Sequence, residues 1–211
     1  MKTNELIDLL AEDSVSGRPF ARILGVAVAC AILVTGAMFF AAIGFRPDIA
    51  QAVESGRFLF KFVVTVTLAV AATGAILKIG RPGVAVAGWG FMLAAVPALL
   101  ACAVGFELVA VPESAWLARL VGRNAWTCLT VIPLLAIAPL VCLLVALRYG
   151  APTRPRLAGA LAGLAASGIA ATFYASNCTD DSPLFVATWY IVASTLVVVV
   201  GCLAGDKFLR W

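Results

Sequence analysis

The sequence predicts an all-α, polytopic membrane protein: six transmembrane helices, both termini in the cytoplasm, and a short amphipathic helix at the amino terminus. Three observations carry this. The 211 residues are 63% hydrophobic and only 12% charged, with a mean hydropathy of +1.06, against roughly 25% charged residues in soluble domains. Six apolar runs reach spanning length. The lysines and arginines cluster between those runs and fall unequally on alternate sides.

The runs cover about 22–44, 58–77, 84–106, 125–147, 157–175 and 185–205, and a bilayer core of about 30 Å asks for roughly 20 residues in each. Backbone groups in lipid must be satisfied internally, so each run is a helix; a barrel would instead show alternating segments of about ten residues. One membrane domain over 22–211 follows, preceded by a cytoplasmic segment over 1–21, with no room for a separate soluble catalytic domain. Glu5, Asp8, Glu12 and Asp13 stand against Lys2 and Arg18 where a signal peptide would open on basic residues, so no cleaved signal is expected.

With the amino terminus inside, ten basic residues are cytoplasmic: Lys2, Arg18, Arg22, Lys78, Arg81, Arg148, Arg154, Arg156, Lys207 and Arg210. Five are outside: Arg46, Arg57, Lys61, Arg119 and Arg123. The bias places both termini in the cytoplasm. Basic residues dispersed in this way signal topology, and no direct contact with nucleic acid is expected.

Local chemistry agrees with the boundaries. Arg46-Pro47-Asp48, Arg81-Pro82-Gly83 and Pro152-Thr153-Arg154-Pro155 mark turns. Pro97, Pro133 and Pro139 lie inside spans three and four, in packing or hinge roles. In span five, Gly159, Gly163, Ser167, Ala171 and Ala175 recur at every fourth residue, a stripe that admits a close helix neighbour, in the core rather than at a dimer seam. Trp116 and Trp126 with Arg119 and Arg123 predict an interfacial anchor, with Ser114 capping a short helix there. Lys61, Lys78 and Glu107 fall near span ends and are expected to snorkel to water.

The segment MKTNELIDLLAED predicts a helix over about 4–12, with Thr3 as its N-cap. Leu6, Ile7, Leu9 and Leu10 form an apolar side, and Glu5, Asp8 and Glu12 an acidic one. A helix this short is unstable alone in water, where about 12–15 residues are marginal, so its apolar side needs a partner. The cytoplasmic leaflet attracts basic segments, whereas residues 2–13 hold four acids and one lysine. Two readings stand: a recognition helix for a basic protein partner, or a terminus that packs beneath its own bundle or stays disordered.

Of the six cysteines, Cys30, Cys142 and Cys202 lie within apolar runs, where a thiol behaves as a small hydrophobe. Cys102 and Cys128 sit about one turn inside the outer ends of spans three and four, and Cys178 lies in the loop NCTDDSPLF, residues 177–185. These three face or border the oxidising side, where disulfides persist. Asp180 and Asp181 disfavour a thiolate at Cys178, whereas a soft metal cation stabilises thiolate and attracts carboxylate together. No histidine and no Cys-x-x-Cys is present, so no constitutive metal or cofactor is expected. In the inert alternative, Asp180 and Asp181 cap span six or solvate the loop, with Ser182-Pro183 starting the helix.

Taken in order, MKTNELIDLLAED, GFRPDIA, RPG, LRYGAPTRPRLAGALAGLAA and YASNCTDDSPLFVATWY make the whole chain resemble the NrsF-type anti-sigma factors, six-span proteins of the bacterial inner membrane. The resemblance implies a multi-pass regulator, not an enzyme. It would hold an extracytoplasmic-function sigma factor inactive and release it under heavy-metal or oxidative stress. It implies that Cys128, in NAWTCL, and Cys178, in SNCTDDSP, are the paired outer-face cysteines, with Asp180 and Asp181 beside them and only transient soft-metal binding at the two thiols. Cys102 has no counterpart in that pair, and Asn177 stands where the resemblance leads one to expect histidine. The sigma factor would be met by Glu5, Leu6, Ile7, Asp8, Leu9 and Leu10. Two other classes compete: a membrane thiol-disulfide oxidoreductase working through Cys128 and Cys178, disfavoured by the missing Cys-x-x-Cys, and a small-solute transporter, disfavoured by spans without broken-helix signals. Oligomeric state is not encoded in any of these features.

Overall fold

The computed structural model describes residues 20–80 and 87–210. Eight helices occur among them: α1 Phe20–Ala42, α2 Ile49–Ala52, α3 Gly56–Ile79, α4 Ala87–Ala110, α5 Trp116–Val121, α6 Ala125–Leu147, α7 Pro155–Ala175 and α8 Pro183–Phe208. The described residues contain no strand. α1, α3, α4, α6, α7 and α8 are long and apolar enough to cross a membrane. They match the six expected runs, with one instructive shift. The third run is expected over about 84–106, yet α4 continues past Glu107 to Ala110.

α7 is the central helix and packs against α8, α3 and α6. Its composition explains the position. A Cβ on Gly159 would collide with the Gly201 carbonyl oxygen, and one on Gly163 would press on the Val197 carbonyl. From the other side, Gly201 and Gly205 of α8 leave the same room for α7. The small-residue stripe is therefore an intramolecular seam, as expected, where backbones approach closely enough for dispersion to hold them. Further along, Gly168 lets α3 approach at Ala69. α4 lies at the edge, against α3 and the start of α8.

The connections after α1, α4 and α7 gather at one end of the bundle, where the Arg46 N–H donates to the Ser176 carbonyl at 3.2 Å. Gly80, at the end of α3, and the connection after α6 meet at the other, where the Ala151 N–H donates to the Gly80 carbonyl at 3.3 Å. These are called the Cys178 end and the Gly80 end below. The amphipathic helix expected over residues 4–12, with Glu5, Leu6, Ile7, Asp8, Leu9 and Leu10, lies outside the described residues.

Candidate functional site

The Cys178 end is built around the loop 176–182. Pro183 opens α8, and the Ser182 hydroxyl caps it by accepting from the Leu184 N–H at 3.3 Å. Asp181 points inward and meets Lys61 of α3, whose Nζ lies 2.6 Å from Oδ1. The same ammonium donates to the Cys178 carbonyl at 2.8 Å and sits 5.1 Å from the Phe58 ring centre, so its charge is met by carboxylate, carbonyl and π-face together. Arg46, from the α1–α2 connection, places Nη1 3.0 Å from Asp181 Oδ2 and grips Asp48 with two bonds of 2.7 Å. That fork holds the Asp48 carboxyl below the usual carboxylate range.

Next to this lies a second buried charge. Glu107 of α4 accepts from Arg57 of α3 at 2.8 Å, from Arg119 of α5 at 2.5 Å and from the Ser182 hydroxyl at 3.3 Å. Lys61 is 0% exposed and Glu107 1%. Neither snorkels, which corrects the sequence expectation: each has found a partner from a distant part of the chain, and an ion pair inside the bundle replaces the reach to water. Arg119 is likewise an ion-pair partner and not a simple interfacial anchor. Ser114 caps no helix among the described residues. A 3-10 turn over Glu113–Ala115 precedes α5, and it carries no side-chain cap.

Asp180 turns the other way, to α6. Its Oδ2 accepts from the Arg123 N–H at 2.9 Å, the Asn124 N–H at 2.8 Å and the Asn124 side-chain amide at 2.9 Å. It thus serves the N-terminus of span four, where the helix dipole favours an anion, rather than that of span six. Gly122 makes room for it. Its φ of 59° lies in the left-handed region, and a Cβ there would press on Phe185 and on the Asp180 carboxyl.

Beneath the loop lie the two thiols. Cys128 is 0% exposed and Cys178 1%; both are free, and they are near enough to interact electrostatically. Burial pushes the Cys178 thiol up, and the Lys61 ammonium opposes that shift without cancelling it. Cys102 faces outward from α4 and does not join them. Tyr174 of α7 and Tyr190 of α8 complete the surroundings, with ring centres 6.0 Å apart. Their hydroxyls lie beside Cys178, yet neither closes a hydrogen bond with a described residue. A π-turn over Val186–Tyr190 places Phe185 and Tyr190, five residues apart, on the same inward face. Among the described residues, no group of three or more cysteine, aspartate or glutamate side chains gathers to hold a metal ion.

The loop carrying Cys178 thus touches α3, α4, α6 and the α1–α2 connection through named polar contacts. A family model for negative regulators of sigma F matches residues 10–211. The chain belongs to the NrsF family. It is 34% identical to the anti-sigma-F factor NrsF of Caulobacter vibrioides and 30% identical to the probable anti-sigma-F factor NrsF of Azospira oryzae, and each alignment covers all of both proteins. No solved structure matches it. In this NrsF-family chain, sequence reasoning named Cys128, Cys178, Asp180 and Asp181, and the structure brings all four to one end. It did not count Arg46, Lys61 or Glu107 among the site residues, and it did not name Tyr174 or Tyr190 at all. The signal for two of these was present: a lysine and a glutamate in or beside apolar runs are costly in lipid and mark a buried partner.

Proposed function

We propose that this protein is a membrane-embedded anti-sigma factor. It holds an extracytoplasmic-function RNA polymerase sigma factor inactive at the bacterial inner membrane and releases it under heavy-metal or oxidative stress. NrsF-family membership over the whole chain carries this reading. The acidic, amphipathic amino-terminal segment supplies the contact, with Leu6, Ile7, Leu9 and Leu10 as apolar anchors and Glu5 and Asp8 facing a basic surface of the sigma factor. Both termini are cytoplasmic, and the Cys178 end faces the outer compartment.

Cys128 and Cys178 are the sensing pair, with Asp180 and Asp181 tying their state to the bundle. Support comes from the loop's position: it is bonded to α3 through Lys61 and to α6 through Asp180. A disulfide between the thiols, formed by passing two electrons to an oxidant and two protons to water, would redraw those contacts, as would a soft cation bridging two thiolates. Each tenfold loss of affinity for the sigma factor requires about 1.4 kcal/mol of coupling.

The test is co-purification of the sigma factor with the full-length protein and with a Leu6→Asp, Leu9→Asp variant. Loss of the sigma factor from the variant is expected; equal retention removes the inner contact. Replacing Cys178 by serine should leave sequestration intact and abolish release by oxidant. Release that persists in that variant removes the sensing role.

A further inference from the structure

A cavity of about 580 Å³ opens at the Cys178 end, bordered by Arg57, Arg119 and Arg123 and by Thr179, Asp180, Asp181 and Ser182 of the loop. Its size falls within the range of small-molecule sites, about 300–1,000 Å³. The acids of this region are all engaged: Glu107 by two arginines, Asp181 by Lys61 and Arg46, Asp180 by three N–H donors, and Asp48 by Arg46.

The cations are not all engaged. Arg57 and Arg119 share the single carboxylate of Glu107 and keep further N–H donors, and the Arg123 guanidinium meets no acceptor among the described residues. Of the charged side chains that line the cavity, Arg57, Arg119 and Arg123 stand against Asp180 and Asp181, so one positive charge is left over on its wall. Glu54 and Glu113 belong to the same end but are exposed and do not line the cavity. The hydroxyls point the same way: Thr179 accepts from the Asn124 amide and keeps its O–H to donate.

We infer that this cavity binds a phosphate-type oxyanion, carried either free or in a lipid headgroup. Guanidinium forks match carboxylate and phosphate alike. Three forks, one from α3 and two from the stretch of α5 and its C-terminal connection, however, call for at least three acceptor oxygens, which a tetrahedral oxyanion has and a carboxylate lacks. The bound anion accepts from the Thr179 hydroxyl, beside the two aspartates, so it meets the loop that carries Cys178 without touching either thiol.

The experiment uses the full-length protein in nanodiscs and needs no sigma factor, so its outcome is separate from that of the proposed regulation. In phosphatidylcholine discs, inorganic phosphate and sulfate are titrated while thermal unfolding is followed. A second set of discs contains phosphatidylglycerol, and lipid retention is read by native mass spectrometry. Arg123→Gln is the informative variant, because its side chain supports no other described residue; Arg148→Gln removes the same charge at the opposite end. The expected result is stabilisation by phosphate, or selective retention of phosphatidylglycerol, that weakens about tenfold in Arg123→Gln and is unchanged in Arg148→Gln. The first response assigns the site to a free anion and the second to a headgroup. No response to either, or equal weakening in both variants, overturns the inference.

Discussion

The two ends of the bundle handle charge in opposite ways. At the Cys178 end, Lys61 and Glu107 are fully buried, and their partners come from other segments of the chain. At the Gly80 end, Asp206 pairs with Arg156 and with Arg210, one helical turn on, and both arginines are largely exposed. The first arrangement makes each ion pair a condition of the fold, because removing one partner leaves a charge in a low-dielectric interior. The second lies at the solvated surface, where exposed pairs contribute little. Cohesion at the Gly80 end comes from close backbone approach instead, between Pro155 and Gly159 of α7 and Gly201 and Gly205 of α8.

Substitutions can break that contrast. The largest effect is expected for Asp181→Ala, which leaves Lys61 buried with only the Cys178 carbonyl and the Phe58 ring face: about 3–5 kcal/mol of lost stability, read by reversible unfolding in detergent micelles. Replacing both partners, Lys61→Met with Asp181→Leu, should recover much of it, since a buried pair exchanged for apolar groups is often neutral. A single variant no worse than the double would show that the charge is not buried in solution.

Gly159→Leu tests the other end. Its side chain enters the α7–α8 seam, and a loss of about 1–3 kcal/mol is expected. Asp180→Ala should cost about 1–2 kcal/mol. Its distinctive signature is faster hydrogen exchange at the Arg123 and Asn124 amides, with the Gly80 end unchanged.

A pH titration adds a sign. The buried Cys178 thiol has a raised pKa in the native state, so above about pH 8.5, where the unfolded thiol ionises, only the unfolded chain releases this proton. Stability then declines with rising pH, by at most about 1.4 kcal/mol per unit from this group, until the native thiol also ionises. Cys178→Ser should flatten that decline. Asp206→Ala is expected to be smallest, under about 1 kcal/mol and shrinking with salt. A cost above that of Asp181→Ala would reverse the comparison.

How much of this was written in the linear order of residues varies with the feature. The six spans were legible because hydropathy adds up over a local window, and the α7 seam because a four-residue repeat of small side chains is itself local. The loop cysteine and its two aspartates were visible as a cluster, but not the opposed tasks of those aspartates. Asp181 turns to a lysine of α3 and Asp180 to the start of α6, and nothing in the string NCTDDSPLF distinguishes them. The π-turn at Val186–Tyr190 and the inward pair Phe185 and Tyr190 left no readable period.

Sequence alone determined that this chain is a bundle of six apolar helices, and it placed the family resemblance along its whole length. Tertiary structure decided where the charges go. Arg46 meets Asp181 across 135 positions and Arg57 meets Glu107 across 50, distances over which no local pattern operates. A lysine or glutamate near a helix end is equally compatible with reaching water and with being buried. The choice falls to burial only when the packed helices deliver an opposite charge to the same place.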